Sequence, residues 1–258
     1  MERSTHHYMN RSNEHSSTGL DTLLDGCAPL GIHIEDRARE QFIQYQELLR
    51  EWAPRVNLTS ITDPLEIQRR HFLDSLTSVL AAGELLASTG TRLIDVGSGA
   101  GFPGIPLKLI FPNLRITLAD SRGQRVEFLT ALVTALELAD VEVVAERAET
   151  LGQDPRYREC FDLAVARALA DLPVALELCL PLVAVGGVVL LQRRGDAQAD
   201  QAATAAALDE LGGAWEEPIA ITLPGLDDGR MIMRARKTRP TPPRYPRRPG
   251  MPNKRPLR

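Results

Sequence analysis

Three cysteines in 258 residues are too few and too scattered for a disulfide frame. Cys27, Cys160 and Cys179 form no CxxC pair. The sequence therefore predicts reduced structural thiols and no bound metal. The first twenty residues have no apolar core, so no signal peptide is expected there. They are polar and aperiodic and are expected to be disordered. His6 and His7 read as part of that solvated tail rather than as metal ligands. A long apolar run is also missing. Leu172 to Gln192 comes nearest, but Glu177, Pro181 and Gly186-Gly187 interrupt it, so it reads as a helix and then a central strand, not a membrane span. No internal repeat is visible. Acid is absent from residues 234–258, which carry ten Lys or Arg. The whole chain sums to −4, so residues 1–233 sum to −14. An acidic body with a basic arm suggests a polyanionic partner gripped locally.

What is present is ordinary for one soluble α/β domain with extensions: 43% apolar and 25% charged residues. Phe42, Tyr45, Leu48, Leu49 and Trp52 recur at helical spacing over 36–53, and Pro54 helps end that helix. Asp63-Pro64 supplies a cap and a first-turn proline for a second helix. From about residue 91 strands and helices alternate. Strands are expected at Leu93–Val96, Arg115–Ala119, Val141–Ala145, Phe161–Ala166 and Val188–Leu191. Helices are expected around Ile105–Phe111, after a Ser121/Gln124 capping box, over 171–184 and over 197–211. Two late strands near 217–223 and 230–236 suggest an antiparallel edge hairpin. The tail from Thr238 holds seven prolines and should be extended. The expected fold is α/β: a Rossmann-like, mostly parallel sheet with helices on both faces. The chain divides into a tail (1–20), a helical extension (21–90), the sheet domain (91–237) and a basic Pro-rich arm (238–258).

The segment Leu93-Ile-Asp-Val-Gly-Ser-Gly-Ala-Gly-Phe-Pro-Gly104 reads as a buried strand, a glycine loop and a helix start. Ligands sit at such carboxyl ends of strands. Gly99, Gly101 and Gly104 fit GxGxxG, which alone is weak evidence for a dinucleotide. Asp95 before the loop and the lack of a second catalytic domain argue against a dehydrogenase. No Gly-Lys-Ser/Thr follows, which excludes a Walker loop. Asp-Val-Gly-Ser-Gly-x-Gly is the loop expected for S-adenosylmethionine, with Asp120 accepting from its ribose hydroxyls. The bland alternative is a tight turn with no ligand.

Several further motifs occur in order: Asn57-Leu-Thr-Ser60, Arg70-His-Phe-Leu-Asp-Ser75, Asp95–Pro106, Ala119-Asp-Ser121 with Arg125 and Phe128-Leu129, Ala166-Arg-Ala168, Arg244-Tyr-Pro-Arg-Arg-Pro-Gly250, and Pro252-Asn-Lys254. Over residues 30–258 the chain resembles the RsmG (GidB) family. The resemblance implies methyl transfer from S-adenosylmethionine to N7 of guanine 527 in the 530 loop of 16S rRNA. It also implies cofactor contacts at Gly97, Gly99, Gly101, Phe102, Asp120, Ala148, Glu149 and Arg167. For Glu149 a surface acid, and for Arg167 a structural salt bridge, are the alternatives. The chain departs from the family at Gln124 and Arg194-Gly195, where basic residue and Lys-Gly are usual.

Guanine N7 has a lone pair and no proton to lose, so no obligatory acid or base is expected. Positioning should carry catalysis. Candidates are Asn57, as an acceptor for the Watson–Crick edge, His71, by stacking on a base or merely packing, and Arg167. The expected RNA contacts are Arg147, Arg194, Arg230, Arg244, Tyr245, Arg247, Arg248 and Lys254, with Arg167 also a phosphate candidate. The tail is expected to act as a flexible phosphate-neutralising arm, or else only to solubilise. Three rivals remain: a small-molecule methyltransferase of the same fold, a non-catalytic RNA-binding module, and a nicotinamide-dependent oxidoreductase. The partner expected is 16S rRNA in the small ribosomal subunit or its assembly intermediate, met in the cytoplasm by a monomer.

Overall fold

The computed structural model describes residues 19–258. Most of the segment expected to be disordered, with His6 and His7, lies outside them. Leu20 already belongs to the core, fully buried.

Eight strands form one sheet: β1 (Arg92–Val96), β2 (Arg115–Ala119), β3 (Val141–Val144), β4 (Phe161–Arg167), β5 (Val183–Arg194), β6 (Gly213–Trp215), β7 (Ile219–Ala220) and β8 (Arg230–Lys237). Their order is β3-β2-β1-β4-β5-β8-β6, with β7 also paired to β8. The first five are parallel, and β8 runs antiparallel to β5, β6 and β7. Central strands are buried on both faces, so successive side chains feed two cores. Leu93, Leu163 and Val165 enter one apolar cluster. Ile94, Val96, Ala164 and Ala166 enter the other.

The first cluster also takes the amino-terminal helices. Helix Asp36–Trp52 buries Phe42, Tyr45 and Leu49 on one stripe. Tyr45 stacks on Phe102 of the glycine loop with centroids 5.3 Å apart, and its hydroxyl donates to Ala100 O at 2.5 Å. The helical extension thus holds the glycine loop from behind. Asp63 caps the helix at Pro64 as expected, its carboxylate accepting from Glu66 N at 2.9 Å.

Four expectations need correction. The helix after β2 begins at Gly123, and its N-cap, Arg122, makes no side-chain cap. Asp120 rather than Ser121 organises that turn, by accepting from Arg122 N at 2.9 Å. The Ser121/Gln124 box does not form. The helix expected over 171–184 ends at Cys179, and a 3-10 turn (Leu180–Leu182) leads into β5. Strand β5 starts earlier than expected because Gly186-Gly187 sits inside it, where its register with β4 shifts. The late strands do form the expected antiparallel pair at this edge, β7 against β8, and β6 adds to it. β8 lies between β5 and β6, and Ile232, Met233 and Ala235 are fully buried, as a central strand requires.

The tail is the fourth correction. It is a strap packed on the body, ending in a short helix, Met251–Lys254. Prolines leave its carbonyls without local N–H partners, and body side chains supply the donors. Arg158 donates to Thr241 O and Tyr245 O at 2.7 Å each. Gln153 Nε2 donates to Pro243 O at 3.1 Å and Pro246 O at 2.8 Å. Lys237, fully buried, donates to Leu180 O at 2.8 Å and to Thr241 Oγ1. Burial lowers its pKa to about 8.

Candidate functional site

The glycine loop leaves β1 at the carboxyl edge of the sheet. Asp95, the penultimate residue of β1, turns inward and accepts from Gly104 N at 2.8 Å. A Cβ on Gly104 would stand 2.9 Å from Asp95 Oδ2, so only glycine lets that bond form. The other oxygen, Oδ1, is buried without a partner. Burial pushes the Asp95 carboxyl up to about 7, with the Gly104 N–H and the Arg167 charge working against it. Gly97 turns the loop with φ of 73°. Asp120, at the end of β2 and 5% exposed, accepts from Gly99 N at 3.0 Å and pairs with Arg125 at 3.4 Å.

A cavity of about 280 Å³ opens here. Gly97, Asp120, Arg147, Ala148, Glu149 and Asn253 are among the residues lining it. A positive-φ glycine loop, an acid closing the next strand and an orphaned buried carboxylate oxygen fit a nucleoside-bearing cation such as S-adenosylmethionine. Gly97, Asp120, Ala148 and Glu149, expected at the cofactor, line this cavity, and Gly99, Gly101, Phe102 and Arg167 do not. The Gly101 Cβ position points at the Tyr45 hydroxyl, 2.8 Å away, and Phe102 is 4% exposed in the core. Arg147, expected at RNA, stands at this cavity instead.

A second cavity of about 530 Å³ lies alongside. Ala168, Leu169 and Ala170, the loop after β4, line both. Ala168 holds a left-handed φ of 52°, a costly conformation for a residue with a Cβ. Arg70, Arg167, Arg193, Arg194 and Arg230 face this larger cavity with one acid, Asp74. Asp74 organises them. Its Oδ2 pairs with Arg167 at 2.9 Å and its Oδ1 with Arg230 at 2.8 Å. Asp228 then bridges Arg230 at 2.8 Å and Arg194 at 2.6 Å. Gln192 Nε2 donates to Asp74 O at 2.5 Å, while its Oε1 is buried and unpartnered.

His71 is 9% exposed and stacks on Phe102 at 4.6 Å, while Arg167 covers the same ring at 4.9 Å. Arg167 can only donate, so His71 Nδ1 accepts from it at 3.2 Å and the proton sits on Nε2, facing Thr59 Oγ1 at 2.8 Å. In that tautomer the 3.1 Å approach of Nδ1 to Arg70 O is no hydrogen bond. Burial, with the Arg167 charge, lowers the His71 pKa to about 3. His71 therefore packs on Phe102, the second of its two expected roles, and it also lines the larger cavity. Arg167 carries the structural salt bridge named as its alternative, and it still faces the larger cavity.

Three further placements differ from expectation. Asn57 is exposed and lines neither cavity, its backbone oxygen lying 3.5 Å from Arg125. Tyr245 is 6% exposed, and its hydroxyl donates to Glu210 at 2.7 Å, so it presents no free ring to a base. Arg247 is neutralised by the fully buried Glu177, and Arg244 by Glu210. Arg248, Lys254, Arg255 and Arg258 have no carboxylate partner among the described residues. Sequence reasoning missed Asp74 and Gln192. Asp74 lay inside a quoted motif, but its two arginine partners are 93 and 156 residues away along the chain.

A mostly parallel sheet with β8 inserted antiparallel, a glycine loop after β1 and an acid ending β2 define a class I methyltransferase fold. Solved structures share it. A mutant of MtNAS in complex with S-adenosylmethionine matches with a TM-score of 0.52 at 17% identity, over 86% of this chain and 94% of that one. The 16S rRNA (adenine(1408)-N(1))-methyltransferase from Catenulisporales acidiphilia matches with a TM-score of 0.50 at 13% identity, over 63% and 92%. These likenesses concern the fold alone. Sequence is more specific. Residues 38–217 match the GidB family, described as rRNA small subunit methyltransferase G. Proteins named ribosomal RNA small subunit methyltransferase G are 45% identical in Alkaliphilus metalliredigens, over 92% of this chain and 98% of theirs, and 43% identical in Roseiflexus sp., over 92% and 100%. The chain belongs to this family.

Proposed function

We propose that this protein methylates small-subunit ribosomal RNA with S-adenosylmethionine as donor, at N7 of guanine 527 in the 530 loop of 16S rRNA. The observation that carries the reading is the shared wall. The cofactor-type cavity and the arginine-lined cavity meet at Ala168–Ala170, so a donor in one faces an acceptor in the other. S-adenosylmethionine, when bound, supplies a methyl group activated on a sulfonium. The chain's own residues position the acceptor. Five arginines line the larger cavity and four acids pair them, Asp74, Asp228, Glu66 and Asp200, which leaves it positive and suited to a nucleotide and its phosphates. The ion pairs of Asp74 and Asp228 fix three of these arginines, Arg167, Arg194 and Arg230, before RNA arrives, so less ordering is left for binding.

Guanine N7 needs no deprotonation, so no residue is assigned as acid or base. His71 is neutral and packed at neutral pH. Rate then comes from holding N7 about 3 Å from the methyl carbon and in line with the breaking bond. An arginine bidentate to O6 and N7 would cover the reacting atom, so the base is held by its Watson–Crick edge, whose N1 and N2 are donors. Gln192, with an unpartnered Oε1 beside the larger cavity, is better placed than Asn57 to accept from them. Arg248, Lys254, Arg255 and Arg258 take phosphates further along the RNA. Among the described residues no helix is long and apolar enough to cross a membrane; the proposed substrate is the ribosomal subunit or its assembly intermediate, met in the cytoplasm. Substrate RNA carrying 7-deazaguanine at the target tests the N7 assignment. It should bind and stay unmethylated, and methyl incorporation at that base would sink the assignment.

A further inference from the structure

The basic tail did not take the form of a loose arm, and what it does instead bears on the smaller cavity. Strap residue Asn253 lines that cavity together with Asp120 and Glu149. Its neighbour Gly250 donates its backbone N–H to Glu149 Oε1 at 2.9 Å. Glu149 is 5% exposed, so a carboxylate buried in the cavity wall is held by the strap. The strap is itself anchored one turn earlier. Glu177, fully buried, accepts from Arg247 through backbone N at 2.9 Å, Nε at 2.8 Å and Nη2 at 2.5 Å. Gly152 lets Pro246 cross close by: a Cβ there would stand 2.6 Å from the proline ring. Together with the Arg158 and Gln153 bonds, these contacts fix the strap before any ligand binds, so its ordering need not be repeated at each binding event.

We propose that the carboxyl-terminal strap is part of the cofactor site, with Asn253 a cofactor-contacting residue that reads the purine and Gly250 a positioning residue for Glu149. This rests on assigning the smaller cavity to S-adenosylmethionine. The chemistry of Asn253 suits an adenine edge. Its amide offers one acceptor and two donors, and adenine presents an exocyclic amine beside a ring nitrogen, donor next to acceptor. On the edge formed with N7, hypoxanthine replaces that amine with a carbonyl, so the same amide would meet acceptor next to acceptor. Specificity for adenosine over inosine follows from this pairing.

The test is calorimetric binding of S-adenosylhomocysteine and S-inosylhomocysteine to the full chain, to Asn253→Ala and to a chain ending at Arg247. The wild type should bind the adenosyl compound more tightly. Asn253→Ala, an exposed position that leaves the fold intact, should bind it about tenfold more weakly and lose most of the preference over the inosyl compound. The chain ending at Arg247 keeps the Glu177 anchor and the buried Tyr245. It should lose at least as much affinity while RNA-free thermal unfolding stays cooperative. Unchanged affinity in Asn253→Ala, or an equal loss for both compounds, overturns the proposal. A wild type that binds neither compound defeats the cofactor assignment itself, which is a separate failure.

Discussion

Replacing Asp74 by asparagine should unfasten the arginine wall of the larger cavity. Asp74 is 4% exposed and holds Arg167 at 2.9 Å and Arg230 at 2.8 Å, one on each oxygen. Asparagine keeps one acceptor but turns an amide donor toward the other guanidinium. One charge-assisted bond is lost, and two poorly hydrated cations lose their shared counter-charge. Removing one partner of a buried ion pair costs about 3–5 kcal/mol, mainly through the charge left behind. At about 2–4 °C per kcal/mol for a chain of this size, the melting temperature should fall by roughly 6–20 °C. Urea unfolding of Asp74→Asn, Arg230→Gln and the double variant measures this. The double variant should recover part of the loss, because it no longer strands Arg230, giving a coupling energy of about 1–3 kcal/mol. A loss below about 1 kcal/mol for Asp74→Asn, with no coupling, would refute the reasoning that Asp74 organises the cavity.

Three further outcomes follow from the same geometry. His71 stays neutral in the folded protein down to about pH 3 but charges near pH 6.5 when unfolded, so stability should drop by about 3 kcal/mol between pH 6.5 and pH 4. His71→Phe should flatten that limb in urea titrations, and an unchanged slope would contradict the packed, neutral imidazole. Asp95 ionises only at about pH 7, and its charged form favours a cationic ligand. Affinity for S-adenosylmethionine should therefore rise up to about tenfold from pH 6 to pH 8 and level off above, with Asp95→Asn showing no such rise; pH-independent binding by the wild type would count against it. The triple variant Arg248→Gln, Lys254→Gln, Arg255→Gln should lower the salt slope of RNA binding by about 2, at about 0.7 per phosphate contact. Arg244→Gln, whose charge is already met by Glu210, should lower it by less than about 0.7. Equal slopes in all three proteins would remove the unpaired cations from the RNA surface.

The parts of this molecule that are local in sequence were legible from it. The Asp63-Pro64 helix start depends on residues within a few positions, and the glycine loop and Asp120 each follow directly on a strand, β1 and β2. Strand β1 alternates its side chains between two cores as a buried parallel strand should. The tail was misread because its partners are remote. Arg247 meets Glu177 70 residues away, and Arg158 meets Thr241 at a separation of 83. Composition revealed ten cations but not that six of them, from Arg234 to Arg247, are met by acids of the body. The placing of β8 between β5 and β6 was hidden for a similar reason. Its pattern distinguishes strand from helix but does not name its neighbours. In the larger cavity the arginines were visible as candidates, while Asp74, which sets their positions, was visible only as one residue of a motif.

The central claim is methylation of guanine 527 at N7, and mass spectrometry of 16S rRNA tests it most directly. Ribonuclease fragments spanning the 530 loop should carry N7-methylguanosine in cells that hold the intact protein and lack it when the gene is removed. Supplying the Asp95–Gly104 loop intact should restore the mark, and supplying Gly104→Ala, which drives a Cβ against Asp95, should not. Persistence of the methylated fragment in cells without the protein would contradict the account.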